Sequence, residues 1–396
     1  MSAKNNNYKI NKFIQANPEI DGIVITDPAN LAYATGLNFQ GLASIKNLCV
    51  IAFFSEKRRF LACPKILAMA YQNSGWHDSI ITYSNCLDPE EAAASVSAVF
   101  ISELLKDTKK SLGYIRDRIS QTLYEKITAH MNDFSFVDIT ENFSHLRQIK
   151  STLEQRTLEL AAAYTDHGIA GAVHHVSRNG DKSEKFLTED IRVHTLERGL
   201  PVNGYRAVSQ AVTEDNAAVL WPHAPYYAVG RDGNFFEGKF IRLEMCGMLD
   251  GYWSNDSRMM VKSDMHGSQK AFAEKMSVLR KFACSLIKPG AVAKDIFTAI
   301  KTKSIEMGIH MADEYGFGHG IGVEPMEPPY ISESDETVLE KNMVLVLSLG
   351  ARYITGVDEL YIMKDTLIVT EDGYRIVGWY ENWDYPYTAA YTFCSL

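Results

Sequence analysis

The sequence predicts an α/β domain over residues 1–148 and a larger α+β domain over residues 149–396. Three features of the chain point to that division. Strand-like and helix-like stretches alternate in the first part, a helix-opening signature stands near residue 150, and long helices then interleave with strand-rich runs. A chain of 396 residues also exceeds one ordinary core, which makes two domains the expectation.

In the first part, residues 20–26 are short and β-branched, and Asp27-Pro28-Ala29-Asn30 supplies a stop. Residues 48–54 form a continuous apolar run, the pattern of a strand covered on both faces. Residues 89–106 carry Ala, Val and Leu at helical spacing, and no glycine fingerprint for a nucleotide is present. Ser151-Thr152-Leu153-Glu154 has the spacing of a capping box, in which serine and glutamate satisfy free N–H groups of an opening turn. The Leu/Ala-rich helix that it starts runs to about Ser177, before Arg178-Asn179-Gly180.

A second helix is expected over residues 269–286. Phe272, Met276, Leu279, Phe282 and Leu286 step along one face, and Lys288-Pro289-Gly290 breaks the pattern. Such a stripe reads as core packing. Strands are expected over residues 240–245, 343–349 and 366–370.

The net charge of −9 argues against a nucleic-acid partner, because phosphate binding needs a positive field. No stretch approaches the ~18 uninterrupted apolar residues of a membrane span. The polar N-terminus lacks the apolar core of a signal peptide, so a cytoplasmic protein is expected. Cys49, Cys63, Cys86, Cys246, Cys284 and Cys394 form no CxxC pair and read as buried small apolar residues.

Four segments cluster polar residues against glycine and apolar strands: Trp221-Pro222-His223, residues 244–258, Gly318-His319-Gly320-Ile321-Gly322 through Pro329, and residues 348–365. Together with Asp21-Gly22-Ile23, Asn30-Leu31-Ala32-Tyr33, Gln148-Ile149-Lys150-Ser151 and the final Thr366 through Gly373, their order resembles the aminopeptidase P, prolidase and creatinase superfamily. The resemblance implies a creatinase-type N-terminal domain. It also implies a pita-bread C-terminal domain, a curved antiparallel sheet covered by helices.

In metal-dependent relatives, two aspartates, a histidine and two glutamates hold two divalent ions, which activate water and polarise the scissile carbonyl. The matching positions here are Glu244, Asn255 eleven residues on, His319, Ser348 and Lys364. Only the histidine matches. A lysine beside a metal ion repels it, and Asn255 and Ser348 supply no compensating charge, so no metal and no cofactor are expected. Asp256 through a bulge, or Asp358 and Glu359 through a slipped strand, are the alternatives that would restore carboxylates.

The substitutions themselves suggest a replacement, in which Lys364 occupies space left by a metal and pairs with Glu244 while Asn255 and Ser348 fill hydrogen-bonding positions; the alternative is a buried salt bridge that only keeps the fold. His223 matches the substrate-site histidine that serves as acid/base in creatinase, and its reference pKa of roughly 6.5 suits that task. His319, free of metal, becomes a second candidate acid/base or substrate donor. Glu327 keeps the acidic half of the family's His-Glu-x-Pro element, but Met326 replaces its histidine. Tyr252 and Arg258 match the frame around the second aspartate and join the candidate substrate-binding residues.

The expected activity is metal-independent, creatinase-like hydrolysis of a C–N bond in a small polar molecule, within a homodimer. Three alternatives stand beside it: a non-hydrolytic acid/base reaction, a pseudoenzyme that binds peptide or protein, and an Xaa-Pro-type metallopeptidase with a rearranged site. The aromatic C-terminus (Trp379, Tyr380, Trp383, Tyr385, Tyr387, Tyr391, Phe393) suits a pocket mouth, a dimer contact or plain packing.

Overall fold

The computed structural model describes residues 3–37, 48–72, 75–84, 87–179, 183–197, 199, 205–211, 240–261, 263–354, 358–378 and 386–388. The chain divides into two compact units, Met1–Arg147 and Gln148–Leu396.

The first unit holds α1 (Ala3–Ala16), β1 (Gly22–Ile25), α2 (Pro28–Thr35), β2 (Ile51–Phe54), β3 (Arg59–Pro64), α3 (Lys65–Tyr71), β4 (Ser79–Tyr83), α4 (Pro89–Leu104), β5 (Ser111–Tyr114), α5 (Gln121–His130), β6 (Ser135–Asp138) and α6 (Thr140–Gln148). Its six strands form a mixed sheet in the order β4-β3-β2-β1-β5-β6. The apolar run behaves as expected, since every residue of β2 is buried. The stop after β1 does more than end a strand. Asp27 accepts a hydrogen bond from the Asn30 amide at 2.9 Å, Pro28 occupies the first turn, and α2 begins there.

The second unit holds α7 (Thr152–Asn179), α8 (Glu184–Glu197), β7 (Tyr205–Ala211), β8 (Ile241–Leu249), β9 (Tyr252–Val261), α9 (Gly267–Ser285), α10 (Ala293–Glu306), β10 (His310–Met311), β11 (Gly318–Gly320), β12 (Glu327–Tyr330), β13 (Val344–Ile354), β14 (Asp358–Val369), β15 (Tyr374–Ile376) and β16 (Tyr387–Thr388). The sheet runs β12-β11-β13-β14-β9-β8-β7, and each pair along that path is antiparallel. The capping box forms as read. The Ser151 amide donates to Glu154 Oε2 at 2.8 Å, and the Glu154 amide donates to Ser151 Oγ at 3.3 Å.

Helices cover one face of this sheet. Met276, Leu279 and Ala283 of α9 and Phe297 and Ile300 of α10 share a core with Leu345, Leu347 and Leu349 of β13 and Tyr361, Met363 and Leu367 of β14. Ile169, Val173, Leu187 and Ile191 of α7 and α8 pack on Ile241, Leu243 and Met245 of β8. Burying a Leu, Ile or Met side chain in this way is worth about 1.5–3 kcal/mol. The alternate residues of β13, β14 and β8 therefore face the other way.

Two differences from the sequence expectation bear on the site. β9 was not expected, and β14 begins at Asp358 rather than near residue 366. All ten residues of β9 are buried, yet the strand includes Ser254, Asn255, Asp256, Ser257 and Arg258, so no polar/apolar alternation marks it. Cys49, Cys63, Cys246 and Cys284 are buried, while Cys86 and Cys394 lie outside the described residues. So do Trp379, Tyr380, Trp383, Tyr385, Tyr391 and Phe393. No helix among the described residues is long and apolar enough to cross a membrane.

Candidate functional site

The site is built by strand register. β13 and β14 pair without a break from Val344 opposite Ile368 to Ile354 opposite Asp358, which sets Ser348 opposite Lys364. Lys364 opposes Ser257 on β9, and Ser257 opposes Glu244 on β8. Directly opposed residues share a sheet face, so Ser348, Lys364 and Glu244 stand in one row away from the covering helices. His319 on β11 opposes Val346, two residues from Ser348, and joins the same face.

Lys364 reaches across β9. Its Nζ donates to Glu244 Oε1 at 2.5 Å and to Asn255 Oδ1 at 3.4 Å. The two side chains of the ion pair are 0% and 1% exposed. Arg242, two residues from Glu244 on the same strand, brings Nε to 3.7 Å from Glu244 Oε2. The carboxylate thus lies between two cations. His319 Nδ1 bonds the Gly320 carbonyl at 2.9 Å. Burial pushes the His319 pKa down to about 4, and the Lys364 charge adds to the shift against the opposing pull of the Gly320 carbonyl and Glu327. At neutral pH the ring is therefore uncharged.

Glu327 on β12 is held by Lys150, whose Nζ donates to Oε1 at 2.8 Å in a second buried ion pair. Gly322 permits this placement, because a Cβ there would stand 2.5 Å from Glu327 Oε1. Tyr252 donates its hydroxyl to Glu154 Oε1 at 3.1 Å, tying β9 to the start of α7.

Arg258 and Asp256 belong to a separate charge network. Arg258 donates to the Lys364 carbonyl oxygen, to the Ser257 carbonyl at 3.0 Å and to Asp166 Oδ1 at 3.3 Å. It also stands 3.6 Å from Asp365 Oδ1. Arg280 of α9 grips Asp365 with two bonds of 2.6 and 2.9 Å. Burial alone would raise the Asp365 pKa, but Arg258 and Arg280 outweigh it and hold it low. Asp256 goes the other way. Burial raises its pKa well above the usual carboxylate value, and Asp166 and Asp365 reinforce the shift against Arg258.

Register also decides the alternative carboxylates. Asp358 and Glu359 pair with Ile354 and Tyr353 at the far end of β14, so the strand is not slipped. Asp256 pairs with Met245 in a regular ladder and bonds Thr366 Oγ1 at 3.4 Å, so no bulge turns it toward Glu244. Among the described residues, no group of three or more His, Cys, Asp or Glu side chains is placed to share a metal ion.

The sequence-predicted residues therefore separate. Glu244, Lys364 and Asn255 are joined directly, with Ser348 and His319 on their face. Glu327, Tyr252 and Arg258, expected among substrate contacts, are each bonded to a protein partner. His223 lies outside the described residues. Sequence reasoning missed Lys150, Arg242, Asp166 and Arg280. Of these only Arg242 carried a usable signal, since it stands two residues from Glu244 and so on the same strand face.

The model of metallopeptidase family M24 matches residues 156–371, more than half of the chain. This chain belongs to that family. The creatinase/prolidase N-terminal domain matches residues 9–149, ahead of the M24 region. The Xaa-Pro dipeptidase of Pyrococcus furiosus is 27% identical over 275 residues, covering 69% of this chain and 74% of the relative. Among solved structures, the X-Pro aminopeptidase from Thermotoga maritima MSB8 superposes with a TM-score of 0.75 at 17% identity, covering 93% of this chain and 97% of that one. The prolidase from Pyrococcus horikoshii OT3 gives 0.71 at 21% identity, covering 94% and 97%. The M24 chain thus has the two-domain creatinase/prolidase-like architecture, with a helix-covered antiparallel sheet behind the site, and is of peptidase-like hydrolase type.

Proposed function

We propose that this M24 member is a metal-independent enzyme that hydrolyses a C–N bond in a small polar molecule. The observation that carries the reading is the seat of Lys364, whose ammonium bonds both Glu244 and Asn255. A divalent ion bound there would face a lysine at hydrogen-bond distance from its best remaining carboxylate, and Ser348 and Asn255 offer it no charge. The donor set does not fit a pair of ions.

In this reading Lys364 supplies a fixed positive charge that polarises a substrate oxygen. Glu244 and Asn255 hold the ammonium in place. His319, neutral at pH 7, donates or accepts a hydrogen bond and does not act as a cation. His223 is the proton shuttle, a role carried over from the family resemblance. Glu327, Tyr252 and Arg258 are assigned to substrate binding on the family resemblance. Homodimerisation and a cytoplasmic setting belong to the same proposal and rest on that resemblance, and sedimentation analysis tests the former.

The deciding experiment is metal analysis of the purified chain after dialysis against a chelator, with turnover of small C–N substrates measured in parallel. Substoichiometric metal with chelator-insensitive turnover is expected. Stoichiometric manganese, iron, cobalt or zinc that survives dialysis would overturn the proposal. A second reading, a silent member that binds peptide or protein, is favoured by the near-complete burial of Lys364 and Glu244, which lets the pair serve the fold alone. Lys364→Met that binds every small-molecule ligand as the unaltered chain does would favour that reading.

A further inference from the structure

Buried polar atoms in folded proteins are almost always hydrogen-bonded, so one that is not calls for an explanation. Ser348 is 1% exposed, and its Oγ has no hydrogen-bond partner. Its cross-strand neighbour on the same face is Lys364. A lysine ammonium has three N–H donors. Among the described residues Lys364 directs two of them, at Glu244 and Asn255. One hydroxyl and one ammonium N–H, on adjacent strands and one sheet face, are thus left to meet an acceptor.

We infer that Ser348 and Lys364 form a two-donor seat for a ligand oxygen carrying negative charge, such as a carboxylate or a strongly polarised carbonyl. The seat extends the proposed function and rests on it for the chemistry, since it makes Ser348 a substrate-contacting residue beside Lys364. The hydroxyl contributes direction and the ammonium contributes charge. Hydrogen bonds in which the donor or the acceptor is ionised are the strong class. A water in the same place would accept the same two bonds but bring no negative charge to set beside the ammonium.

The probe is formate, small enough to enter a closed seat, titrated by calorimetry into the chelator-dialysed full chain in chloride-free buffer. Saturable binding is expected, weakened about tenfold or more by Ser348→Ala and largely retained by Ser348→Thr, which keeps the hydroxyl. Lys364→Met should abolish it. A thermal melt of each variant distinguishes lost binding from lost folding, and the Ser348→Thr comparison stands even if Lys364→Met unfolds. No saturable binding to the unaltered chain, or equal binding by Ser348→Ala, overturns the seat. Stoichiometric metal in the dialysed protein would instead sink the proposed function, and the serine dependence of formate binding would still be read separately.

Discussion

Replacing Lys364 with methionine keeps most of the stem and deletes the ammonium. Glu244 then remains as a carboxylate that is 1% exposed, with Arg242 Nε at 3.7 Å as its nearest described cation. Removing one partner of a buried pair costs about 3–5 kcal/mol, because the survivor is a charge without its counterpart. Arg242 offsets part of that, which puts the expected loss near ~3 kcal/mol at pH 7. Lys364→Met combined with Glu244→Gln removes both charges, so the double variant should recover about 2 kcal/mol of the summed single losses. Urea unfolding followed by circular dichroism at pH 7 measures all four corners of the cycle. A single-variant loss below about 1 kcal/mol with no coupling is the behaviour of a solvated surface pair, and it would refute the reasoning.

The helix-side network predicts opposite outcomes for two neighbouring aspartates. Asp365→Asn strips a carboxylate from between Arg258 and Arg280 and should cost about 3–5 kcal/mol, whereas Asp256→Asn should be neutral or stabilising at pH 8 by urea unfolding. The folded pKa of Asp256 is raised, so its contribution is present at low pH and lost as pH rises from its unfolded value through the folded one. For His319 the folded pKa of about 4 lies below the ordinary histidine value of 6.5, so the unfolded chain binds the extra proton between those values. Stability should fall by roughly 3 kcal/mol as pH drops across that window, and His319→Gln should remove that share of the slope in pH-dependent melts. Restoring carboxylates with Asn255→Asp, Ser348→Glu and Lys364→Glu together should create manganese or cobalt binding measurable by calorimetry. Failure of a folded triple variant to bind either ion would show that more than the donor set prevents it.

Much of the fold was legible because it rests on local chemistry. The capping box at Ser151 and Glu154, the apolar run that became β2 and the stripe on α9 each announce themselves over a few residues. Predicted and observed ends of α9 differ by two residues or fewer. β9 was not legible, because its polar residues are buried by partners distant in sequence: Ser254 meets Thr165, and Arg258 meets Asp166. Nothing local joins Arg280 to Asp365, since the two stand 85 positions apart. In the candidate site, the pairing of Glu244, Lys364 and Asn255 followed from aligned positions. The capture of Glu327 by Lys150 did not, since those residues are 177 positions apart and only the tertiary fold joins them.

Lys364 and Asp365 are adjacent in the chain and opposite in charge, and the pleat sends them to opposite sides of one sheet. The sheet acts as an electrical partition. Asp365 belongs to a foundation of aspartates and arginines that bolts α7 and α9 to the strands, while Lys364 belongs to the row it shares with Glu244 on the other face. The ion pairs of the foundation include no side chain from the row of Glu244, Lys364 and Ser348. A lineage could therefore exchange that row, charge sign included, without rebuilding the joints on the other side of the sheet.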